Sequence, residues 1–415
     1  MRLPLIASLG ASSLLAPALF GAVEVVDDQL SIKVGMDIQT RVTSAVAHNG
    51  VGNEWDIDNA RVGSSNDAQF MERRARLLLD GKYGDDWNFF LSFRADGTDQ
   101  KGNSTGTGNN GAGVGNVRGV DLFKAYLRRY FKADEDWSMY VQGGLDYPFF
   151  NRGILGDPAW LFCDMRPTVN LMGIRSSGAR YLLSNTWFDV GFDVMNSQDP
   201  AKANPNQRDG LFYSGRVEWT AFSDSGKKAP YRESYWGKAG HSLMLAADVG
   251  YDNNDYGVIN EKTNALCNGL EALFHWDGLS AIAEARWLHT TQAGINGGGV
   301  DRDNHSHVYL AQAGYAFPVG SITIEPALRY SKIDLNTGNG SETPAYDGAS
   351  GVAALPGFIA PNQGVDVVNS GNQLEVGVNF YFTKVTSLQV DFAHWKAESG
   401  QGDANIFRTQ LQVAF

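Results

Sequence analysis

Cysteine is nearly absent from this chain: Cys163 and Cys267 are the only two in 415 residues, which excludes a disulfide framework. One bond between them and two separate buried thiols both stay open, because positions this far apart in sequence carry no geometry. Long apolar runs are also missing beyond the first 22 residues. No later stretch approaches the roughly 18 uncharged apolar residues that a spanning helix needs, so any crossing of a membrane must be made by strands. No Pro-rich or Ser-rich linker and no change of pattern divides the chain, so it reads as one large domain where its length would allow two or three. Lys and Arg number 34 against 46 Asp and Glu, a formal charge of −12. With no basic run to follow a phosphate backbone, generic nucleic-acid binding is excluded.

Residues 1–22 read as an address. Met1-Arg2 is a short positive start, Leu3 to Phe20 is apolar, and small residues follow at Gly21 and Ala22, which matches a secretory signal peptide. The internal Pro4 and Pro17 and the acidic Glu24, Asp27 and Asp28 just after argue against a membrane anchor. Cleavage after Ala22 leaves residues 23–415 as the mature domain, with Ala18 as the alternative site.

The most informative stretch runs from Arg73 to Asp96. Side chains in a strand alternate between two faces, and two sets separate here on either side of Gly84-Asp85-Asp86. Ala75, Leu77, Leu79, Trp87, Phe89, Leu91, Phe93 and Ala95 make an apolar face. Arg74, Arg76, Asp80, Asn88, Ser92, Arg94 and Asp96 make a polar one, with Leu78 and Phe90 out of pattern.

The same alternation recurs along the chain, and its clearest late example sets Ile322, Ile324, Pro326, Leu328 and Tyr330 against Thr323, Glu325, Arg329 and Ser331. We read sixteen strands in all. Short connections near Gly84, Ala133, Asp277, Pro318 and Val385 alternate with long ones beginning at Val42, Gly97, Tyr147, Thr291 and Leu335. An even strand number, with short turns at one end and long loops at the other, predicts an all-β transmembrane antiparallel β-barrel of the outer-membrane kind. Only helices and closed barrels satisfy every backbone group in lipid. The connection from Ser223 to Ala239 is a misfit, being long where a short turn is expected. The terminal Phe407, Thr409, Leu411, Val413 and Phe415 share one face, like the last strand by which outer-membrane barrels are recognised for assembly.

With these residues in place, the chain resembles the phosphate-selective porin O and P family. Arg73-Arg74-Ala75-Arg76-Leu77 with Gly81-Lys82 and Asp85-Asp86-Trp87 is similar to that family's early hairpin. Lys124-Ala125-Tyr126, Glu325-Pro326-Ala327-Leu328-Arg329-Tyr330-Ser331 and Asn379-Phe380-Tyr381-Phe382 resemble later strands. The resemblance implies a barrel of about sixteen strands, a homotrimer, and a third loop folded into the lumen, here 147–170. It also implies an anion or phosphate preference resting on inner-face cations. The candidates are Lys33, Arg74, Arg76, Arg94, Lys124, Arg128, Arg216, Arg286, Arg329 and Arg408 on the wall and Arg152 and Arg166 on the loop, which carries Asp157 and Asp164 but no lysine. Arg74, Arg76, Arg94 and Arg128 lie on consecutive strands and form the leading cluster.

Other motifs do not survive their context. Gly106 to Gly111 spells GxGxxG, but neither follows an apolar strand nor opens a helix, as dinucleotide binding requires. His305-x-His307 lacks an obvious third ligand. Asp189 and Asp193, which could suggest glycosidase carboxylates, repeat at strand spacing like other inner-face residues. The expectation is therefore a non-enzymatic outer-membrane porin without cofactor. Its partners are outer-membrane lipid, the barrel-assembly machinery through Phe415, and small anions or other small solutes. A carbohydrate-selective porin using Tyr126, Tyr140, Trp187 and Tyr381, and an enzyme or adhesin built on the long loops, are the alternatives.

Overall fold

The computed structural model describes residues 23–27, 29–48, 67–95, 120–132, 136–150, 152, 160–163, 166, 168, 175–196, 210–226, 228, 231–234, 240–254, 262–293, 302–334, 371–397 and 403–414. The signal segment 1–22, the GxGxxG stretch, Asp157, Asp164 and Phe415 lie outside them.

Eighteen strand segments follow one another: β1 (Val23–Val26), β2 (Leu30–His48), β3 (Asp67–Tyr83), β4 (Trp87–Arg94), β5 (Asp121–Lys132), β6 (Ser138–Asp146), β7 (Ser176–Ser184), β8 (Phe188–Asn196) and β9 (Leu211–Ser223), then β10 (Ser242–Asn254), β11 (Lys262–Trp276), β12 (Leu279–Ala293), β13 (Arg302–Tyr315), β14 (Phe317–Val319), β15 (Ile322–Asp334), β16 (Gly371–Tyr381), β17 (Thr386–Ala397) and β18 (Asp403–Ala414). Each long strand pairs antiparallel with its sequence neighbour, and β18 pairs with β2 from Ala414↔Asp37 to Asp403↔His48. That last pairing closes a barrel of sixteen strands.

The two short segments complete edges. β1 turns back on β2 at Val23↔Val34 to Val26↔Ser31, so it continues the edge that β18 leaves at Asp37. β14 pairs with Ile322–Ile324 of β15, below the point where β13 stops pairing with it at Gly314↔Ala327. Such extensions satisfy backbone groups that would otherwise be bare at the rim.

The strand bounds correct the sequence reading in one region. Residues 42–48 and 67–69 belong to β2 and β3 rather than to a loop, because Arg41 and Thr43 continue the inward set of Asp37 and Gln39, and β18 supplies the matching partner edge. The opening hairpin has the expected faces, with Leu79 paired to Leu91 and Leu77 to Phe93. Outward residues such as Leu270, Leu328, Val376 and Leu411 are exposed in the isolated chain, whereas inward ones such as Arg216, Glu325 and Gln389 are buried. The barrel is thus apolar outside and polar inside, the inverse of a globular core.

Outward Leu328 faces outward Val376 across β15 and β16. Leu328→Arg is expected to cost about 2–4 kcal/mol if it sits near mid-membrane, measured by urea unfolding in lipid vesicles; the inward Gln389→Ser is expected to cost about 1 kcal/mol.

Candidate channel and its lining

A sixteen-stranded barrel encloses more space than its inward side chains fill. Here the residues between β6 and β7 occupy part of it. The Phe149 amide donates to Asp193 of β8 at 2.7 Å, and Arg216 of β9 donates to the Phe150 carbonyl at 3.5 Å. Farther along, Gln389 of β17 donates to the Trp160 carbonyl at 2.9 Å, and Asn379 of β16 to the Leu161 carbonyl at 2.9 Å. The Cys163 amide donates to Asp391 of β17 at 2.8 Å, and the Cys163 carbonyl accepts from Arg41 of β2. These partners lie on strands on opposite sides of the barrel, so the described residues of this connection, 147–150, 152, 160–163, 166 and 168, lie inside the lumen and reach both sides of it.

The wall is shaped to receive them. Gly191 and Gly314 lie on the inward register of β8 and β13, where an added Cβ would meet Phe149 at 2.4 Å and Leu161 at 2.7 Å of the segment. At Gly250 of β10 and Gly377 of β16 it would meet the wall's Phe212 at 2.8 Å and Asp391 at 3.1 Å, and then Phe150 and Phe162 of the segment, each at 3.2 Å. Phe150 joins Met195, Phe212, Ala265, Cys267 and Leu288 in a buried apolar cluster. Both cysteines are free, buried thiols, so the open question of their pairing is answered as separate thiols.

Seating the segment divides the inner-face cations into two groups. Beneath it, Arg216 is fully buried and holds Glu218 at 2.8 Å, Asp248 at 2.6 Å and Glu271 at 2.7 Å. Arg286 holds Glu284 and Asp248, each at 2.8 Å. Arg329 pairs with Glu375 at 3.1 Å and lies 4.4 Å over the Phe162 ring; Arg408 pairs with Asp391 at 2.6 Å. Arg180 pairs with Asp193 at 2.6 Å and Asp146 at 3.3 Å. Arg166 of the segment is fully buried among Glu233, Glu271 and Glu284 at 3.1–3.2 Å, while the more accessible Arg152 contacts Glu218 and Asp189. Arg74 is buried 4.5 Å over the Trp160 ring.

The second group stays partly exposed on β3, β4 and β5: Arg76, Arg94, Lys124 and Arg128. Arg76 and Arg94 are direct cross-strand partners. A bulge in the β4–β5 register, where Ser92↔Lys124 is followed by Phe93↔Leu122, turns Phe123 inward, since an extra residue re-aims its side chain. The Arg76, Arg94 and Arg175 guanidinium carbons lie 4.1, 5.1 and 4.7 Å from the centre of that one ring. Toward the short-turn end, Arg128 sits 5.0, 5.8 and 4.1 Å from Tyr126, Tyr130 and Tyr140 and donates to Gln142 at 2.7 Å. Phe90 stacks on Tyr126 at 5.3 Å. Lys124 pairs with Asp146 at 3.4 Å, and Asp80 is an exposed carboxylate nearby that accepts from Asn88 at 2.7 Å. Lys33 sits exposed opposite Asp80 on β2.

Of the candidate residues, Arg76, Arg94, Lys124 and Arg128 are therefore brought together along one open wall. Arg74, Arg166, Arg216, Arg286, Arg329 and Arg408 are buried under or within the inserted segment. Arg41 and Arg180 were missed as inner-face cations: Arg41 fell past the assumed end of the first strand, whereas Arg180 stood on an expected strand whose faces were not separated. Among the aromatic candidates, Trp187 lies in the turn before β8 and Tyr381 is buried against Glu325 at 2.5 Å.

No family model and no curated protein matches this chain. Solved structures do. The outer-membrane channel DcaP of Acinetobacter baumannii superposes with a TM-score of 0.60 at 12% identity, over 94% of this chain and 99% of that one. A loop-deletion mutant of OmpT, an outer-membrane protein of Vibrio cholerae, gives 0.56 at 10% identity over 94% and 100%. OprB of Pseudomonas putida gives 0.55 at 12% identity over 92% and 94%. At such identities the likeness is one of fold, that of outer-membrane barrels.

The two groups of cations should respond differently to neutralisation. Arg216→Gln removes a fully buried cation shared by three buried carboxylates, each of which keeps one other arginine (Arg152, Arg286 or Arg166), and is expected to cost roughly 3 kcal/mol, whereas Arg128→Gln loses ring contacts worth about 1 kcal/mol. Chemical unfolding of both variants in vesicles checks the contrast.

Proposed function

We propose that the chain is an outer-membrane porin, a non-catalytic channel for passive diffusion of small hydrophilic solutes, with a preference for anions. The observation that carries the reading is the sorting of inner-face charge. Cations beneath the inserted segment are fully buried in carboxylate pairs, whereas Arg76, Arg94, Lys124 and Arg128 on β3 to β5 stay partly exposed, gathered on one side of the barrel against aromatic rings, with Lys124 also paired to Asp146 at 3.4 Å. A ring of like charge along a water-filled path sets ion preference. The outer-membrane location, export by the segment 1–22, assembly through the terminal strand and a homotrimeric state complete the proposal, and the fold shared with known outer-membrane channels supports it.

In this reading the inserted segment narrows the lumen and sets the size limit. Phosphate is a candidate permeant on the strength of the arginine-rich wall; of the inserted loop's two arginines Arg152 is the accessible one and Arg166 is fully buried, and both contact carboxylates. A sugar-specific channel is less well supported. Tyr126 alone of the four aromatic residues considered for sugar stacking stands partly exposed on the open wall, while Tyr140 and Tyr381 are buried.

The test is the zero-current potential of purified protein in a planar bilayer across a KCl gradient. Anion preference is expected. Combined Arg76→Gln, Arg94→Gln and Arg128→Gln should lower the chloride-to-potassium permeability ratio by at least about fivefold, the factor that corresponds to the roughly 1 kcal/mol of one unit charge about 4 Å away in water. A cation-preferring wild type, or a ratio unmoved by the triple variant, contradicts the assignment. Block of conductance by added phosphate separates a phosphate-preferring channel from a general anion porin.

A further inference from the structure

The connection between β9 and β10 runs from Ser223 to Ser242 at the end of the barrel where the other connections are short turns. Its described residues do not stay at the rim. Lys228 reaches Ser184 at 2.6 Å and also contacts Asp189. The Arg232 carbonyl accepts from His275 at 3.0 Å. Tyr231 packs against the inward apolar cluster of Met244, Leu273, Ile282 and Leu310, and its hydroxyl donates to Glu271. Glu233 is buried and accepts from Gln312 of β13 at 3.0 Å.

Glu271 stands five residues in from Trp276, where β11 meets its short turn, which is about 17 Å of strand at ~3.4 Å per residue. The connection therefore climbs into the barrel from the short-turn end. There it meets the segment that enters from the long-loop end: Arg166 donates to the Tyr231 hydroxyl at 2.7 Å and pairs with Glu233 at 3.1 Å. The Leu161 amide donates to Glu233 at 3.4 Å, and Arg152 lies 5.1 Å over the Tyr231 ring. A buried arginine of one segment, ringed by a carboxylate of the other and two of the wall, joins the two, because neither side can leave without stranding charge.

We propose that the β9–β10 connection is a second pore-narrowing element, pinned to the first by Arg166, Tyr231 and Glu233, so that two segments inserted from opposite ends jointly set the size limit. The proposal rests on the channel reading above and extends it from one constriction to two that act as a unit. Removal of the connection should widen the lumen directly and also loosen residues 160–168, which lose Glu233 as a partner.

The experiment compares wild-type protein with a variant in which residues 225–240 are replaced by an Asn-Gly turn, which suits a tight hairpin. Folding is scored by heat-modifiable migration, and function by single-channel conductance in KCl and by swelling of vesicles in neutral sugars of increasing size. Conductance is expected to rise about twofold, with larger sugars admitted. A folded variant with unchanged conductance and unchanged exclusion limit overturns the proposal. Should that variant fail to fold, Glu233→Gln decides, because it keeps the shape and removes only the charge that Arg166 holds. Frequent excursions to a larger conductance state are expected, and a steady wild-type level overturns the proposal. Wild-type protein that forms no channels at all would instead overturn the channel reading beneath it.

Discussion

A chain that crosses lipid as strands must find every backbone hydrogen bond within itself, since the hydrocarbon offers no water to supply the missing ones. Closure between β18 and β2 meets that demand, and the short β1 and β14 extend it to the rim. Closure has a second consequence. Sixteen tilted strands enclose a lumen too wide for their own side chains to fill, so the inside of this protein is a polar space that has to be either occupied or left to water. Both outcomes occur, on different sides of the same barrel.

Where it is occupied, the physics is that of a buried ionic interior. A charge taken out of water is costly unless paired and hydrogen-bonded, and the wall meets this with arginine and carboxylate on adjacent strands: Arg180 with Asp193, Arg216 with Asp248, Arg408 with Asp391. The inserted backbone is then satisfied by wall amides and carboxylates, and glycines at 191, 314 and 377 leave room for its apolar side chains. Where the lumen is open, the same residue types lie differently. Arg76, Arg94 and Arg128 lie against aromatic rings while staying partly exposed, and such contacts hold a guanidinium in place. Position relative to the inserted segment thus separates a structural arginine from a candidate selectivity residue.

Much of this was legible in the sequence and some was not. Alternation at period two is a local property, so the faces of β3, β4, β9 and β15 could be read directly, as could the ordering of short turns and long loops. Arg41 was lost because its strand runs on into a segment whose polar and Gly-rich composition resembles a loop. The inward turn of Phe123 depends on a one-residue bulge, which leaves no mark on composition. Charge pairing was opaque for a different reason: Arg166 finds Glu271 and Glu284 more than a hundred residues away across the lumen, where no local pattern relates them. The long Ser223 to Ala239 connection was visible as an exception to the turn rule, and that exception marked the second inserted segment.

The central claim is that water and solute pass along the β3–β5 wall and not along the wall beneath the inserted segment. Cysteine accessibility tests it most directly. In a Cys163→Ser, Cys267→Ser background, Tyr126→Cys would stand on the open wall, and Ser214→Cys would be buried beside Asp193, to which the native hydroxyl donates at 3.0 Å. A negatively charged methanethiosulfonate added during a bilayer recording is predicted to reduce the current stepwise through Tyr126→Cys channels and to leave Ser214→Cys channels untouched. Block at position 214 with none at 126 would place the path on the other side of the barrel and contradict the account.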